Sequence, residues 1–327
     1  MGTDARAARR PAADRIRIGV SSCLLGQAVR YDGGQKRDAF LVETFGRHVE
    51  WVPVCPEVEL GMATPREPVR LVRDGEAVRM VGMTSQIDHT NAMSSYARRR
   101  VAELGADDLC GYLFKKDSPS CGMERVWVHA AGGMPARSGR GLFAAALMQR
   151  YPTLPVEEEG RLCDPRLRES FVERVFAYRR LRALFTGRWK VHDVAVFHTA
   201  HTLQLLAHST RAYRQLSRLL AGATALTRGE LRERYEAGFM GALQVLATPR
   251  RHEEVLRHSI GYLRKQLDDT SRRELLAVVE DYRSGVVPLM VPVASIRHFV
   301  RRLAVADLLG QTYLEPHPQE RLLRNHV

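Results

Sequence analysis

The sequence has no long apolar run. Its 327 residues contain nothing near the ~20 consecutive apolar residues that a membrane-spanning helix requires. The two best candidates are residues 141–148, which are too few, and residues 286–296, which Pro288 and Pro292 interrupt. Residues 1–14 are rich in Arg and Ala but lack the apolar segment of a signal peptide. We therefore expect a disordered N-terminal tail, no membrane partner and a cytoplasmic protein.

Cysteine is also scarce. Five cysteines in 327 residues are too few, and an odd number, for a disulfide framework. In a cytosolic chain, the cysteines that matter are more often metal ligands or nucleophiles.

Positive charge is in excess, but only in one half of the chain. Residues 1–160 carry 22 Lys and Arg against 20 Asp and Glu, whereas residues 161–327 carry 28 against 17, a net charge of +11. Such a one-sided excess favours a surface that binds a polyanion, most commonly nucleic acid. A solvated basic helical surface would look the same, so both readings stay open.

The pattern of apolar residues divides the chain in two. In residues 15–160, short β-rich runs alternate with helical patterns, which predicts an α/β domain with a largely parallel sheet. Beyond residue 160 the periodicity is helical and predicts an all-α domain over 161–327. The predicted helices are 165–186, 191–220, 228–246, 249–267, 271–284 and 293–309.

Three cysteines follow predicted strands. Cys23 follows the first strand, Cys55 the second, and Cys121 lies in the loop after a strand at 108–114. Because ligands of open α/β sheets bind beyond the carboxyl ends of the strands, the three loops are expected to converge. Thiolates bind iron–sulfur clusters and zinc, and three ligands leave one metal position open. Burial as small apolar side chains is the alternative, and we assign that packing role to Cys110 and Cys163.

Polar residues surround these cysteines in the sequence. A carboxylate near a metal can act as general base for a water molecule, and Glu57 comes two residues after Cys55. Each of the others, taken singly, is typical of an exposed loop. They are Arg30, Asp32, Arg66, Lys115, Lys116, Ser118 and Ser120.

Five motifs make the first half recognisable. They are Ser21-Ser22-Cys23-Leu24-Leu25-Gly26, Arg30-Tyr31-Asp32-Gly33, Pro53-Val54-Cys55-Pro56-Glu57, Thr64-Pro65-Arg66 and Ser118-Pro119-Ser120-Cys121-Gly122. Together they resemble the thiouracil desulfidase (TudS) family over residues 15–157. One departure is Glu59, in a segment where the family more often has a second Gly and no acid.

The second half resembles the helical domain of the YbgA type. The motifs that carry this resemblance are Leu206-Ala207-His208-Ser209, Val287-Pro288-Leu289 and Tyr313-Leu314-Glu315-Pro316-His317-Pro318. A fusion of these two parts is similar to the tRNA 4-thiouridine desulfidases of the RudS type.

The resemblance implies an enzyme with a [4Fe–4S] cluster held by Cys23, Cys55 and Cys121. The iron without a protein ligand would bind the thiocarbonyl sulfur of the substrate. Glu57 would activate a water molecule, whose oxygen replaces that sulfur on the ring carbon without net redox change. Either Ser118 or Ser120 would donate a hydrogen bond to the developing charge.

The substrate implied is thiolated tRNA. Arg30, Asp32, Arg66, Lys115 and Lys116 are then expected to contact the substrate near the cluster. In the helical domain Arg211, Arg214 and Arg218 recur at i, i+3 and i+7, so they share one helical face suited to phosphates. We expect no DNA partner, and the oligomeric state stays open.

Two alternatives remain at this stage. One is desulfuration of free thiouracil or thionucleosides, with the helical domain used for oligomerisation. The other is a non-enzymatic RNA-binding module whose three cysteines hold zinc or sense redox state.

Overall fold

The computed structural model describes residues 16–130 and 133–324. The predicted tail over residues 1–14 lies outside this part of the chain. The chain divides into two compact units, Met1–Gly160 and Arg161–Val327. No helix in the described residues is long and apolar enough to cross a membrane.

In the residues that the structure describes, the first unit contains eight strands and three α-helices. The strands are β1 (Ile16–Ser21), β2 (Val49–Val54), β3 (Val69–Asp74), β4 (Ala77–Gly82), β5 (Gly111–Phe114), β6 (Val126–Ala130), β7 (Ala136–Gly139) and β8 (Val156–Glu158). The helices are α1 (Pro56–Glu59), α2 (Thr90–Ala106) and α3 (Leu142–Arg150).

The central sheet is parallel, as the sequence predicts. Its strand order is β2-β1-β5-β8, and all three neighbouring pairs run parallel. β1 is almost wholly buried, as is typical of a central strand in a parallel sheet. Gly19 in β1 allows close packing on β5, because a Cβ there would stand 2.2 Å from the ring of Tyr112. β1 thus occupies the middle of the sheet, between β2 and β5.

A second sheet of four strands was not anticipated as a separate layer. Its order is β4-β3-β6-β7, with antiparallel pairs at both ends and a parallel pair in the middle. β3 and β4 form a hairpin, in whose turn Gly75 has a positive φ of 60°. Between β1 and β2 the chain forms a π-helical turn at Phe40–Thr44 and a 3₁₀ turn at Phe45–Arg47.

The second unit is built of helices, so the predicted fold class is confirmed. The helices are α4 (Pro165–Leu184), α5 (Val191–Ala200), α6 (Thr202–His208), α7 (Thr210–Ala221), α8 (Arg228–Gln244), α9 (Pro249–Leu263), α10 (Asp269–Arg283), α11 (Met290–Arg302) and α12 (Pro318–Arg324). One core cluster, which includes Leu203, Leu256, Ile296 and Leu314, is fully or almost fully buried.

The prediction of one helix over 191–220 is wrong, because the segment forms α5, α6 and α7. Near the first break, the carbonyl of Ala200 accepts from the Thr312 backbone N–H at 2.9 Å, and the carbonyl of Thr199 accepts from the Gln311 side chain at 2.8 Å. At the second break Ser209 is extended, and its side chain accepts from the backbone N–H of Ala212. Partners distant in sequence thus interrupt the apolar periodicity at the first break, and a local N-cap interrupts it at the second.

Charged side chains are buried in the second unit. Arg324 pairs with Glu169 at 2.8 Å and with Glu320 at 3.5 Å, and its side chain is 2% exposed. Glu173 lies 3.9 Å from Arg324 and also accepts from Gln204 and His208. Burial opposes the charge of Glu173, but Arg324 and His208 outweigh it and lower the pKa of this carboxyl group.

Candidate active site

The three predicted ligand cysteines lie at the carboxyl edge of the parallel sheet. β2, β1 and β5 are adjacent, and each is followed by the segment that carries Cys55, Cys23 or Cys121, respectively. All three side chains line one cavity of about 420 Å³. The sheet order therefore brings together residues that are 98 positions apart in the chain.

The local backbone places each cysteine differently. Cys23 lies in a 3₁₀ turn that ends at Gly26, whose φ of 92° is left-handed. Cys55 is the N-cap residue of α1, with Pro56 at the first helical position. Cys121 lies in a loop whose turn is held by the Ser118 side chain, which accepts from the backbone N–H of Ser120 at 3.3 Å and of Cys121 at 3.1 Å.

All three thiols are protected from ionisation by burial. Burial raises the pKa of Cys23 to about 11, although Lys115 acts in the opposite direction. Burial likewise raises the pKa of Cys55, and it raises the pKa of Cys121 well above the usual value. Thiolates at this wall therefore require a compensating cation.

The donor set suits a soft metal group. Three cysteines line one cavity, and all are free of disulfides. In the described part of the chain, no three His, Cys, Asp or Glu side chains form a group that could hold a metal ion by itself. Cys110 and Cys163 are also free thiols, but neither lines this cavity. Cys110 is buried, whereas Cys163 is exposed, so the packing role predicted for Cys163 is wrong.

Glu57 is held by two partners beside the cysteines. Its Oε1 accepts from the hydroxyl of Ser120 at 2.7 Å, and its Oε2 accepts from Nε of Arg66 at 2.9 Å and also pairs with Nη2 of the same guanidinium. Arg66 in turn donates to the carbonyl of Val29 at 3.1 Å. The Glu57 side chain is 13% exposed, so the carboxylate is fixed in orientation while one edge still reaches the cavity.

The structure separates the two candidate serines. Ser118 lines the cavity, whereas Ser120 is fully buried and is not part of its lining. The hydroxyl proton of Ser120 is committed to Glu57. The oxygen of Ser118 accepts two backbone N–H groups, so its own proton remains available as a donor toward the cavity.

Four of the other predicted contact residues lie on the cavity wall. Arg30, Arg66, Lys115 and Lys116 line it, while Asp32 does not. Asp32 is exposed and pairs with Arg30 at 3.2 Å, so it orients that guanidinium.

The two lysines differ in their environment. Lys115 is largely buried and pairs with Glu159 at 2.7 Å, close enough to Cys23 to oppose the rise in its pKa. Lys116 is exposed at the cavity.

Glu59 has a role that sequence reasoning missed. Its Oε1 accepts from the backbone N–H of Cys55 at 3.0 Å, and its Oε2 accepts from the hydroxyl of Tyr96 at 2.7 Å and lies 3.1 Å from Arg100. The acid that departs from the family pattern thus ties the Cys55 turn to α2. Its position four residues after Cys55 was the available signal, since a helical turn brings i and i+4 together.

The three arginines predicted to contact RNA belong to the second unit. Arg211, Arg214 and Arg218 lie on α7 and are exposed. The buried residue on this helix is Leu216, so the arginines form an outward basic face.

Two family models match the chain. Residues 18–159 match the model described as 2-thiouracil desulfurase, and residues 203–318 match DUF1722, a family described as a protein of unknown function.

Curated relatives are similar to parts of the chain. The uncharacterized protein YbgA of Escherichia coli (strain K12) is 32% identical over 161 residues, which are 49% of this chain and 95% of YbgA. The uncharacterized protein YbbK of Bacillus subtilis (strain 168) is 29% identical over 136 residues, which are 40% of this chain and 88% of YbbK.

One solved structure is similar to the chain. It is described as the [4Fe-4S]-dependent thiouracil desulfidase TudS, and it is 33% identical. The match covers 46% of this chain and 95% of that one, with a TM-score of 0.39.

Proposed function

The chain belongs to the TudS/YbgA family, and we propose that it is a [4Fe–4S]-dependent desulfidase that removes sulfur from 4-thiouridine in tRNA. The observation that carries the proposal is one cavity lined by three cysteine thiols and by Glu57. This cavity lies within the residues that match the 2-thiouracil desulfurase model.

The cluster would be held by Cys23, Cys55 and Cys121. Their buried thiols need a cation to ionise, and soft sulfur ligands suit iron. When bound, the cluster supplies a thiophilic Lewis acid that polarises the carbon–sulfur bond and distinguishes a thiocarbonyl from a carbonyl. Glu59 supports this arrangement by holding the backbone N–H of Cys55.

Glu57 is the general base. A water molecule attacks the ring carbon, its proton passes to the carboxylate, and the overall reaction converts C=S and water into C=O and hydrogen sulfide. Arg66 and Ser120 hold the two carboxylate oxygens from behind, so the base is oriented before the substrate arrives. No electrons are gained or lost in this reaction.

Ser118 is the hydrogen-bond donor to the reacting group. Its proton is available on the cavity wall, whereas the Ser120 proton is used to position Glu57. A donor aimed at the charge that develops on the ring stabilises the transition state more than the ground state.

The charge distribution supports tRNA rather than a free base. A free nucleobase needs no unit with a net charge of +11, while phosphate contacts use such a surface. The cavity of about 420 Å³ admits a single base, so the thiouridine of a folded tRNA must leave its stack to enter. Arg211, Arg214 and Arg218 then contact the RNA backbone, as do Arg30 and Lys116 beside the cavity.

Free thiouracil is the second candidate substrate. The cavity volume suits an isolated base as well, and the matching family model is named for 2-thiouracil. In that case the helical unit serves another purpose, such as oligomerisation.

A comparison of substrates under anaerobic conditions tests the proposal. Reconstituted protein is incubated with 4-thiouridine-containing tRNA, with free 4-thiouracil and with 2-thiouracil, while sulfide release and the near-ultraviolet absorbance of the thiobase are followed. We expect tRNA to be consumed at the highest kcat/KM, and the Cys121→Ala variant to be inactive on all three. Turnover of the free bases with tRNA left intact would overturn the tRNA proposal.

A further inference from the structure

A shallow basic groove lies on α11 in the second unit. Ala294, Arg297, His298, Arg301 and Arg302 line a concavity of about 470 Å³. Their spacing of three and four residues places them on one face of the helix. The face opposite them is buried in the helical core through Val293, Ile296 and Val300.

The positive charges in this groove are poorly neutralised. Arg301 pairs with Glu315 at 2.6 Å, but no carboxylate lies within ion-pair distance of Arg297 or of Arg302 in the described part of the chain. Burial lowers the pKa of Arg297, and the charges of Arg321 and Arg301 lower it further, while Glu315 acts in the opposite direction. Three guanidinium groups, those of Arg297, Arg301 and Arg302, thus line one concavity with a single paired carboxylate beside them.

Basic residues on the neighbouring helices are arranged differently. Arg257 and Arg283 share Glu253, and Arg257 also approaches Glu280 at 3.4 Å. These charges are satisfied within the protein, whereas those of Arg297 and Arg302 have no carboxylate at ion-pair distance in the described residues. Like charges held together cost stability unless an anion joins them, so the groove is suited to an external anion.

The chemistry of the lining selects the kind of anion. Guanidinium groups bind phosphate oxygens in a bidentate manner and stay charged at every physiological pH. The groove is shallow and offers no aromatic ring beyond the His298 imidazole for stacking a base. Arg302 covers the ring of Phe299, with its guanidinium carbon 4.9 Å from the ring centroid. The groove therefore suits the repeated phosphates of a backbone rather than a nucleobase.

We propose that Arg297, Arg301 and Arg302 form a phosphate-binding site for the RNA backbone. This site is distinct from the exposed face of Arg211, Arg214 and Arg218 on α7, and it rests on the proposed function because it deepens the assignment of tRNA as the substrate. It adds affinity and orientation without reading sequence.

Binding of unthiolated tRNA to the full-length protein tests the site. The double variant Arg297→Ala/Arg302→Ala is compared with the wild type and with Arg250→Ala, whose side chain is 78% exposed and already paired with Glu254. We expect the double variant to lose roughly tenfold in affinity, and the slope of log K against log salt to fall by about one to two, one for each lost phosphate contact. Arg250→Ala should bind as the wild type does, and thermal melts should show all three proteins folded.

The outcomes separate the site from the proposed function. If the double variant is folded and binds tRNA with the wild-type affinity and salt slope, the groove proposal is overturned while the tRNA substrate stands. If the double variant loses affinity but the wild type never removes sulfur from tRNA, the groove stands and the proposed substrate fails. If the wild type does not bind tRNA at all, both fail. The charge-conserving Arg297→Lys/Arg302→Lys variant should recover most of the salt slope, which a loss of packing alone would not do.

Discussion

The two units of this chain bury charged side chains in opposite ways. In the first unit Glu57 and Arg66 meet at the wall of a cavity of about 420 Å³. In the second unit Arg324 is enclosed by Glu169 and Glu320, and the cavity beside Glu169 and Glu173 holds only about 40 Å³. The first arrangement leaves a carboxylate edge open to a ligand, and the second leaves no room for one.

The difference follows from the architecture of each unit. A parallel sheet leaves a crevice where its strands end, and loops from separate strands deliver side chains into it. Packed helices instead close their interior, so buried polar groups can only satisfy one another. The helical unit is therefore left with its surface for contact with partners, and that surface carries the excess of positive charge.

Removal of a cysteine at the crevice is expected to have the largest effect. Cys23→Ala, Cys55→Ala and Cys121→Ala should each abolish the cluster absorbance and the desulfidase activity after anaerobic reconstitution. Cys110→Ala and Cys163→Ala are the matched controls, because those thiols do not line the cavity. Full iron and sulfide content in any of the first three variants would refute the ligand assignment.

Replacement of Glu57, the carboxylate of the crevice, is expected to lower the rate of desulfuration without loss of the cluster. Glu57→Gln keeps the shape but removes the base, so kcat should fall about 10²- to 10⁴-fold with iron content unchanged. The control is Glu76→Gln, an exposed residue of the hairpin between β3 and β4. A variant that keeps more than half of the wild-type kcat would show that Glu57 is not the base.

The closed network of the second unit is expected to matter for stability. Arg324→Met leaves Glu169, Glu173 and Glu320 without their shared cation, and loss of one partner from a buried pair costs about 3–5 kcal/mol. In Arg324→Met, hydrogen exchange of the backbone amides in α4 and α9 should be faster than in the wild type, by the factor that corresponds to this loss of stability. Arg272→Met, at an exposed position of α10, should leave it unchanged. Equal exchange in the two variants would mean that the network contributes little.

The smallest expected effect is the response of the second unit to mild acid. Burial lowers the pKa of His252 to about 3, and burial together with Arg180 lowers that of His201 to about 3. Between pH 6.5 and 3 the unfolded chain binds these two protons and the folded chain does not, so stability falls as the pH falls. From pH 7 to 5.5 the loss should be about 2–3 kcal/mol, measured by urea unfolding at the two pH values.

A histidine variant checks whether stability falls as the pH falls. His252→Gln should flatten the dependence on pH, since it removes one of the two groups. Stability that stays constant or rises between pH 7 and 5.5 would contradict the buried, neutral state of these histidines.

Sequence patterns were sufficient for the fold class and for the convergence of Cys23, Cys55 and Cys121. Both depend on local periodicity and on the rule that parallel strands end at a common edge. The roles of Ser118 and Ser120 were not separable from the sequence, because both precede Cys121 and both carry the same hydroxyl. Only the contact of Ser120 with Glu57, 63 residues away, distinguishes them.

The amino-acid sequence by itself determined the division into an α/β unit and a basic helical unit, since composition and periodicity are properties of neighbouring residues. The tertiary structure alone decided the first break in the helix predicted over 191–220, because the groups that meet it there come from Gln311 and Thr312. It also decided which arginines keep an unpaired charge. Arg297 and Arg302 are no more basic in sequence than Arg257 and Arg283, and only the folded chain places Glu253 at ion-pair distance of the second pair and no carboxylate at that distance from the first in the described residues.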